Sequence, residues 1–414
     1  MSDLKVCYNI LSQVYKQQAY GSISLTNKLG EAKNRDFVTR LVYGVLRNDV
    51  RYDYFIAQMT AKKPQNSAII LLKIGMYCIE GMDSMPDYAA VNNTVELTKE
   101  IGKQGSSGFI NGVLKAFCRK KPALPTETAQ RLSVEASVPL WIVRQYIKQY
   151  GAESTREFLG CKPLELEHAR VNFKKTDTGA VKEKLQALNV EFKEDDENPD
   201  CLFVRNSQAV RPLFDAGLIT FQSLTSVRCC KIADVKDGDS VLDMCAAPGG
   251  KSVYFAGIGD NVKVLSCDIY HHRLQLIQQY ARRMGVKLDV RLLDATVANK
   301  SFDRAFDVVL CDVPCSNLGV AAKKPDVYLF KDKDAIFSLT QTQAKILENG
   351  AGYVKEGGAL VYSTCTLLKE ENEEIVKRFL KANKKYKLES QQVYLPDDKG
   401  SDGFFVAKLR RVRA

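Results

Sequence analysis

Two cysteines follow apolar runs of the sequence that have the length of short strands. Cys315 comes shortly after the run 306–311, and Cys365 comes shortly after the run 359–363. Parallel strands that are neighbours end at the same edge of a sheet, so both thiols are expected to reach one pocket there. A thiolate can form a covalent intermediate with a substrate, whereas most cysteines are only buried apolar residues. The pair therefore indicates covalent catalysis if the fold brings the two together.

Three aspartates also stand at the ends of apolar runs. Asp268, Asp294 and Asp312 end the second, third and fourth runs of the C-terminal half. An acid at the position of Asp268, roughly 20 residues beyond a glycine turn, commonly binds ribose hydroxyls, and Asp294 could accept from an adenine amino group. A single aspartate at such a place is more often a helix cap or a turn residue. Three of them behind one glycine turn favour a cofactor pocket.

That glycine turn lies within segment 240–252. A short apolar run leads into Pro248-Gly249-Gly250, and a segment compatible with a helix follows from Lys251. Because glycine has no Cβ, the backbone of the turn can approach a ligand closely. The segment is neither a dinucleotide fingerprint nor a phosphate loop, since the spacing of its glycines fits neither motif. Taken alone, a Gly-Gly turn can equally serve only to reverse the chain.

The elements that must position these residues follow from the hydrophobic pattern. From residue 240 onward strand-like runs alternate with helical segments, which is typical of a parallel α/β sheet. The runs are 241–244, 262–267, 288–292, 306–311 and 359–363. Segment 403–408 predicts a late strand, within a terminal hairpin.

The rest of the chain predicts two further kinds of structure. Residues 1 to about 120 repeat apolar positions at helical spacing, and residues 160–205 alternate strand and helix patterns. We therefore expect an α/β, Rossmann-like domain preceded by an all-α domain and a small α+β subdomain. The predicted boundaries are 1–125 for the all-α domain, 126–160 for a helical linker, 161–215 for the α+β subdomain and 216–414 for the Rossmann-like domain.

Composition narrows the class of protein. A formal net charge of +11 favours a polyanionic partner such as a nucleic acid. Residues 101–150 carry eight basic residues against two acidic ones, including Lys120 and Lys121, which indicates phosphate contact or simply a solvated face. The chain shows no signal-peptide pattern and no apolar run of ~18 residues. Twelve cysteines without a C-x-x-C pair, with only three histidines, favour a reducing cytoplasm without disulfides or a metal site.

Several motifs resemble a known family. Asp243-Met-Cys-Ala-Ala-Pro-Gly-Gly-Lys251, Asp312-Val-Pro-Cys-Ser316 and Tyr362-Ser-Thr-Cys-Thr366 resemble the cofactor loop and the paired cysteine loops of RNA 5-methylcytosine methyltransferases. The N-terminal segments resemble the NusB-type RNA-binding helical domain that precedes the catalytic part in members acting on small-subunit ribosomal RNA. The segments are Arg40-Leu-Val-Tyr-Gly-Val-Leu-Arg47, Ala90-Val-Asn-Asn-Thr-Val-Glu96 and Phe109-Ile-Asn-Gly-Val-Leu114. Residues 160–205 resemble the RRM-like subdomain of that family.

The resemblance implies a cofactor and a set of roles. It implies that S-adenosylmethionine is bound by Cys245, Ala246, Ala247, Pro248, Gly249, Gly250, Lys251, Asp268, Asp294 and Asp312. It implies that Cys365 is the nucleophile and that Cys315 assists the elimination as an acid or base. Asp312 is expected to bind the edge of the cytosine and to stabilise its protonated N3.

The resemblance also implies a partner. Lys323 and Lys324 follow Cys315 in a basic segment and are expected to contact RNA phosphate, as are Lys120 and Lys121; a solvated loop is the alternative. The expected partner is small-subunit rRNA before or early in assembly, bound by a cytoplasmic monomer without membrane contact. Ser223 departs from the family, which has an acid there, so the role of that acid is open. A tRNA cytosine-5 methyltransferase and a non-catalytic RNA-binding or antitermination protein are the alternative functions.

Overall fold

The computed structural model describes residues 2–17, 28–161, 166–329, 331–397 and 399–412. The chain forms two compact units. The first comprises residues 1–160 together with 321–331, and the second comprises residues 161–320 together with 332–414.

The first unit is helical. Its helices among the described residues are α1 (Asp3–Gln17), α2 (Arg35–Arg47), α3 (Asp49–Met59), α4 (Asn66–Gly81), α5 (Asp87–Glu100), α6 (Ser107–Arg119), α7 (Thr128–Ala136), α8 (Leu140–Tyr150) and α9 (Ala152–Gly160). Apolar residues three and four positions apart form one face of α2, and this face is buried. Asn34 caps α2 by accepting from the Phe37 N–H at 2.9 Å. The predicted all-α character of this region is confirmed.

Two segments belong to this unit although the sequence predicted them to be parts of other regions. The predicted linker 126–160 folds as α7–α9, and Ser137 Oγ there accepts from the Val50 N–H of α3 at 3.0 Å. Residues 321–331 also belong to this unit. Their 3₁₀ turn Pro325–Tyr328 contacts α2, and Leu329 packs against the helical core. The sequence does not reveal this return of the chain, because it depends on a few tertiary contacts of a short segment.

The second unit contains a small antiparallel sheet. Its elements are β1 (Glu167–Val171), α10 (Thr178–Ala187), β2 (Phe192–Glu194), β3 (Cys201–Val204), α11 (Arg211–Asp215) and β4 (Ile219–Phe221), with strand order β2-β3-β1-β4. Helix α10 packs Val181 and Leu185 into the core of this sheet. The last strand, β4, pairs with β1, so this subdomain extends past residue 215.

A larger sheet forms the rest of the second unit. Its elements are α12 (Leu224–Ala233), β5 (Ser240–Asp243), α13 (Gly250–Ala256), β6 (Lys263–Asp268), α14 (His271–Met284), β7 (Asp289–Leu292), β8 (Phe306–Asp312), α15 (Lys333–Tyr353), β9 (Val354–Thr364), α16 (Glu373–Ala382), β10 (Tyr386–Tyr394) and β11 (Phe404–Arg411). The strand order is β10-β11-β9-β8-β5-β6-β7. Strands β5 to β9 are parallel, and β11 is antiparallel to both β9 and β10. The predicted α/β class and the terminal hairpin are confirmed.

This topology brings the predicted site to one edge. Strands β8 and β9 are parallel neighbours in which Asp312 lies opposite Ser363. Strands β5 and β6 are likewise neighbours, so the glycine turn after β5 and Asp268 at the end of β6 lie at that same edge. Among the described residues no helix has the length and apolarity of a membrane span, and no cluster of His, Cys, Asp or Glu could hold a metal ion. All twelve cysteines are free.

Candidate active site

The glycine turn between β5 and α13 has a backbone that requires glycine. Gly249 has a φ of +111°, which is in the region that side chains with a Cβ avoid. A Cβ at Gly249 would also lie 3.2 Å from the Cα of Ile277 in α14. The main chain of the turn is therefore packed closely against α14 at Gly249.

Asp268 is tied to this turn. Its side chain is 4% exposed, and Oδ2 accepts from the Ala247 N–H at 3.4 Å. Oδ1 accepts from the Tyr270 N–H at 3.1 Å, and Arg273 lies 3.7 Å from Oδ2. Each carboxylate oxygen has two lone pairs, so both oxygens keep acceptor capacity for a ligand.

Asp294 is held differently, at the end of β7. Its Oδ1 accepts from the Thr296 N–H at 2.9 Å and from the Thr296 hydroxyl at 2.6 Å. These hydrogen bonds, the hydroxyl first, lower the pKa of Asp294. The carboxylate is exposed to solvent, with one oxygen fixed by its own loop. It can accept a hydrogen bond from a ligand, but its geometry depends less on burial than that of Asp268.

Exposed apolar side chains lie near these two aspartates along the chain. Ile269, Leu292 and Val297 are 51%, 55% and 60% exposed. Ile269 directly follows β6, Leu292 is the last residue of β7, and Val297 comes shortly after β7. The two acids stand at the same places, since Asp268 ends β6 and Asp294 follows β7. Exposed aliphatic carbons beside acceptors for a ribose and an amino group suit a flat heteroaromatic ring.

Asp312 joins the glycine turn to the end of β9. Its Oδ2 lies 2.6 Å from the Lys251 ammonium, and its Oδ1 accepts from the Ser363 hydroxyl at 2.7 Å. Burial alone would lower the pKa of Lys251, but the charge of Asp312 and the hydrogen bond to it raise the pKa overall. Lys251 is therefore a fixed cation whose partner is Asp312. This ion pair and the Ser363 hydroxyl orient the Asp312 carboxylate.

The two predicted cysteines meet. Cys315 Sγ lies 3.3 Å from Cys365 Sγ, so the expectation that the two loops share one pocket is confirmed. Cys315 is buried, whereas Cys365 is partly exposed. The hydrogen bond with Cys365 and burial raise the pKa of the Cys315 thiol well above its usual range. Cys315 thus remains a thiol at neutral pH, and the more accessible Cys365 is the sulfur that a substrate can reach.

Asn317 lies between the two sulfurs. The Cys365 thiol donates to its Oδ1 at 2.8 Å, and Cys315 Sγ is 3.9 Å from the same oxygen. Its Nδ2 donates to the Cys315 carbonyl at 3.3 Å. The sequence alone did not indicate this residue, because an asparagine in a loop after a strand is an ordinary turn residue.

A buried carboxylate joins the two cysteine loops from behind. Glu371 is fully buried; it accepts from the Ser316 N–H at 2.9 Å, from the Ser316 hydroxyl at 2.5 Å and from Gln343 Nε2 at 2.9 Å. The Ser316 hydroxyl is also 2.8 Å from Thr366 Oγ1. Ser316 and Thr366 are the residues directly after the two cysteines, so this network fixes both loops relative to each other. No feature of the sequence separates Glu371 from the charged residues around it.

The loop after β8 is also joined to the last strand of the sheet. The Gly319 N–H donates to the Cys365 carbonyl at 3.0 Å. The Gly403 N–H, just before β11, donates to the Gly319 carbonyl at 2.8 Å. A Cβ on Gly319 would lie 2.1 Å from the carbonyl oxygen of Gly403, so this approach of two main chains requires glycine.

Two further residues bear on the sequence predictions. Asp243, at the end of β5, is buried and accepts from the Ser252 hydroxyl at 2.7 Å. Burial, and then the charge of Asp312, raises its pKa to about 7. Ser223 caps α12 by accepting from the Ser226 N–H at 3.3 Å. Serine and aspartate are comparable caps, so the departure from the family leaves this cap in place.

The predicted RNA-binding lysines and the cysteine site belong to different units. Lys323 and Lys324 are exposed and belong to the first unit, as do Lys120 and Lys121. Lys121 is paired with Glu80 at 2.7 Å and remains half exposed. These four lysines offer charge to a polyanion, and their role stays a prediction.

Comparisons with known proteins identify the relatives of both units. Residues 231–410 match the family described as 16S rRNA methyltransferase RsmB/F, and residues 3–119 match the NusB family. The chain is 31% identical to the probable ribosomal RNA small subunit methyltransferase B of Bacillus subtilis, over 97% of this chain and 95% of that protein.

Solved structures share the fold. The crystal structure of PH0851 covers 99% of both chains with a TM-score of 0.82 at 22% identity. The crystal structure of NSun6 from Pyrococcus horikoshii with SFG covers 70% of this chain and 99% of that one, with a TM-score of 0.59 at 21% identity. The first of these likenesses extends over both units, and the second over a large part of the chain.

Proposed function

The chain belongs to the family of the 16S rRNA methyltransferases RsmB/F, and from that membership we propose that it methylates C5 of a cytosine in small-subunit ribosomal RNA. The observation that supports this chemistry best is the 3.3 Å separation of the Cys315 and Cys365 sulfur atoms. Methylation at C5 needs one group that forms and then releases a covalent bond and a second group that handles a proton. Two adjacent thiols of different accessibility supply both.

The methyl donor is S-adenosylmethionine, and the residues fit it. The main chain from Cys245 to Lys251 forms a turn that packs closely against α14 at Gly249 and would hold the cofactor through its backbone groups. Asp268 offers its remaining lone pairs to the ribose hydroxyls, and Asp294 accepts from the adenine amino group. When bound, the cofactor supplies the electrophilic methyl group that C5 accepts.

The chain's own residues prepare C5 for that transfer. Cytosine C5 is too weak a nucleophile to react unaided. The Cys365 thiolate adds to C6, and the electrons of the C5=C6 bond shift so that C5 becomes enamine-like. Asp312, oriented by Lys251 at 2.6 Å, accepts a hydrogen bond from the protonated N3 and stabilises the adduct.

The second cysteine serves the elimination. A solvent base removes the C5 proton, the electron pair restores the C5=C6 bond, and the C6–S bond breaks. The sulfur of Cys365 leaves as a thiolate, and N3 then gives up its proton to solvent. Cys315, whose thiol is 3.3 Å away and keeps its proton at neutral pH, donates a hydrogen bond to the departing thiolate.

The substrate must present its base outside a stacked helix, because the Cys365 thiol cannot approach C6 of a base that is stacked inside one. We assign phosphate contacts to the exposed residues Lys120, Lys121, Lys323 and Lys324, of which Lys121 is also paired with Glu80. Naked or partly assembled rRNA is the expected form of the substrate, since a hairpin in it can open more freely.

The test is methyl transfer from labelled S-adenosylmethionine to naked 16S rRNA, to assembled small subunits and to tRNA, with bisulfite mapping of the product. Incorporation at a cytosine of 16S rRNA is expected, and incorporation only into tRNA would redirect the proposal. Cys365→Ala is expected to abolish turnover, and Cys315→Ala to accumulate a covalent RNA adduct on denaturing gels. If the wild-type protein binds RNA but methylates none of the three, a non-catalytic RNA-binding role replaces the enzyme.

A further inference from the structure

Asn317 has a backbone conformation that aims its side chain at the cysteines. Its φ is +61°, a left-handed conformation in which asparagine and glycine are the residues tolerated best. The residue before it, Ser316, is fixed by Glu371. The carboxamide is thereby held 2.8 Å from the Cys365 sulfur.

A carboxamide can serve both protonation states of a thiol. The present contact uses the oxygen as an acceptor, which only a neutral thiol can satisfy. A thiolate has no proton and needs a donor. Rotation of the carboxamide about its last torsion, which is soft, exchanges oxygen for the N–H groups. That rotation gives up the 3.3 Å hydrogen bond from Nδ2 to the Cys315 carbonyl and the 3.9 Å contact of Oδ1 with Cys315 Sγ.

We propose that Asn317 is a positioning residue for Cys365, an acceptor for its thiol and, after rotation of the amide, a donor for its thiolate. The proposal rests on the role of Cys365 as the nucleophile. Hydrogen bonds to a charged group are about twice as strong as neutral ones, so the thiolate gains more from the amide than the thiol does. Asn317 therefore favours the reactive form and holds the same sulfur again when the product leaves.

Cys365 has an ionisable neighbour in the other cysteine loop. Its thiol faces Cys315 from the loop after β8 at 3.3 Å, and Glu371, from the segment before α16, acts electrostatically on Cys315. The Lys251–Asp312 pair lies at the ends of the neighbouring strands and is internally neutral. Asn317 differs from these ionisable groups, because its carboxamide can change between accepting and donating a hydrogen bond without a change of charge.

The test measures the pKa of Cys365 as the pH dependence of its alkylation by iodoacetamide, followed by mass spectrometry of its peptide from the folded full chain. Asn317→Gly fits the backbone and removes the amide. We expect the alkylation midpoint to rise by about half a pH unit to one unit, and the pH profile of methyl transfer to move equally. A midpoint that falls or stays constant would show a fixed acceptor and overturn the proposal.

A matched control exists in the same unit. Asn189 also has a left-handed backbone, with φ of +52°, and lies between α10 and β2, so Asn189→Gly should leave the midpoint unchanged. If Asn317→Gly does not fold, Asn317→Asp decides, because it keeps the acceptor and loses the donor. Its midpoint must rise by about one unit or more, and no rise refutes the role. Alkylation needs no RNA, so a failure to methylate RNA would count against the proposed function and leave this measurement intact.

Discussion

The two halves of the site are held by different means. At the cofactor half, main-chain groups orient the acids: the Ala247 and Tyr270 N–H groups bind Asp268. At the cysteine half, buried side chains join loops that are distant in sequence, as Glu371 does for the loops of Cys315 and Cys365. The main chain of a short motif therefore fixes the geometry of the cofactor half. The geometry of the cysteine half depends on residues outside the two cysteine motifs.

The largest effect is expected from Glu371→Ala. This change leaves the Ser316 N–H, the Ser316 hydroxyl and the Gln343 amide without their buried acceptor. We expect the free energy of unfolding to fall by about 3 kcal/mol or more and methyl transfer to fall at least ~100-fold. Urea unfolding followed by circular dichroism and single-turnover methylation measure the two effects.

The control for that change is Glu374→Ala, in the same acidic segment but exposed. It should alter stability by less than about 0.5 kcal/mol. If both variants behaved alike, the buried network would have no special part in holding the cysteine loops.

Lys251→Met tests the residue that belongs to both halves. It removes the cation 2.6 Å from Asp312 and leaves a carboxylate with only Ser363. We expect a loss of about 2 kcal/mol in transition-state stabilisation, measured as a roughly 30-fold fall in kcat/KM. The double variant Lys251→Met/Asp312→Asn should lose less than the sum of the single variants, since the two residues are directly coupled. Strict additivity would show that the pair does not act as a unit.

A comparison within the cofactor half should give smaller effects. Asp268→Asn is expected to weaken S-adenosylmethionine binding about tenfold, because a buried acceptor is lost. Asp294→Asn should weaken it only about threefold, because this carboxylate is exposed and half committed to Thr296. Isothermal titration calorimetry gives both dissociation constants, with Asp289→Asn at the opposite end of β7 as the unaffected control. An equal loss at both acids would mean that burial does not set their contributions.

The smallest expected effect concerns pH. Burial raises the pKa of Asp243 to about 7, so between about pH 4 and pH 7 the unfolded chain has lost a proton that the folded chain retains. Folding stability attributable to Asp243 is therefore complete below about pH 4 and falls as the pH rises through this window.

Asp243→Asn should flatten that decline, measured as the melting temperature between pH 5 and pH 7.5. Asp196→Asn, at an exposed position of the small subdomain, should retain the wild-type slope. Parallel curves for wild type and Asp243→Asn would contradict the assignment.

The comparison of the two halves also explains what the sequence could predict. The strand order of an α/β sheet places strand ends together, so Asp268, Asp312 and the two cysteines could be foreseen from apolar runs alone. Glu371 could not, because it stands among Lys369, Glu370 and Glu374, where a charged run usually lies on the surface.

The boundaries of the domains could be predicted from the sequence less well than the longer strands. Strand β4 has only three residues, and its pairing with β1 depends on long-range contacts. The grouping of 321–331 with the first unit likewise depends on Leu329 packing against the helical core. Neither segment is long enough to carry a periodic signal of its own.

The contact between Gly319 and Gly403 has a consequence for biogenesis. The polypeptide emerges from the ribosome in order, so residues 403–411 appear after every other part of the reactive pocket. Until they insert beside β9, the Gly319 loop lacks its anchoring hydrogen bond and the sheet lacks its penultimate strand. The hydrogen bond that anchors Gly319 to Gly403 can therefore form only after residues 403–411 have been synthesised and have paired with β9.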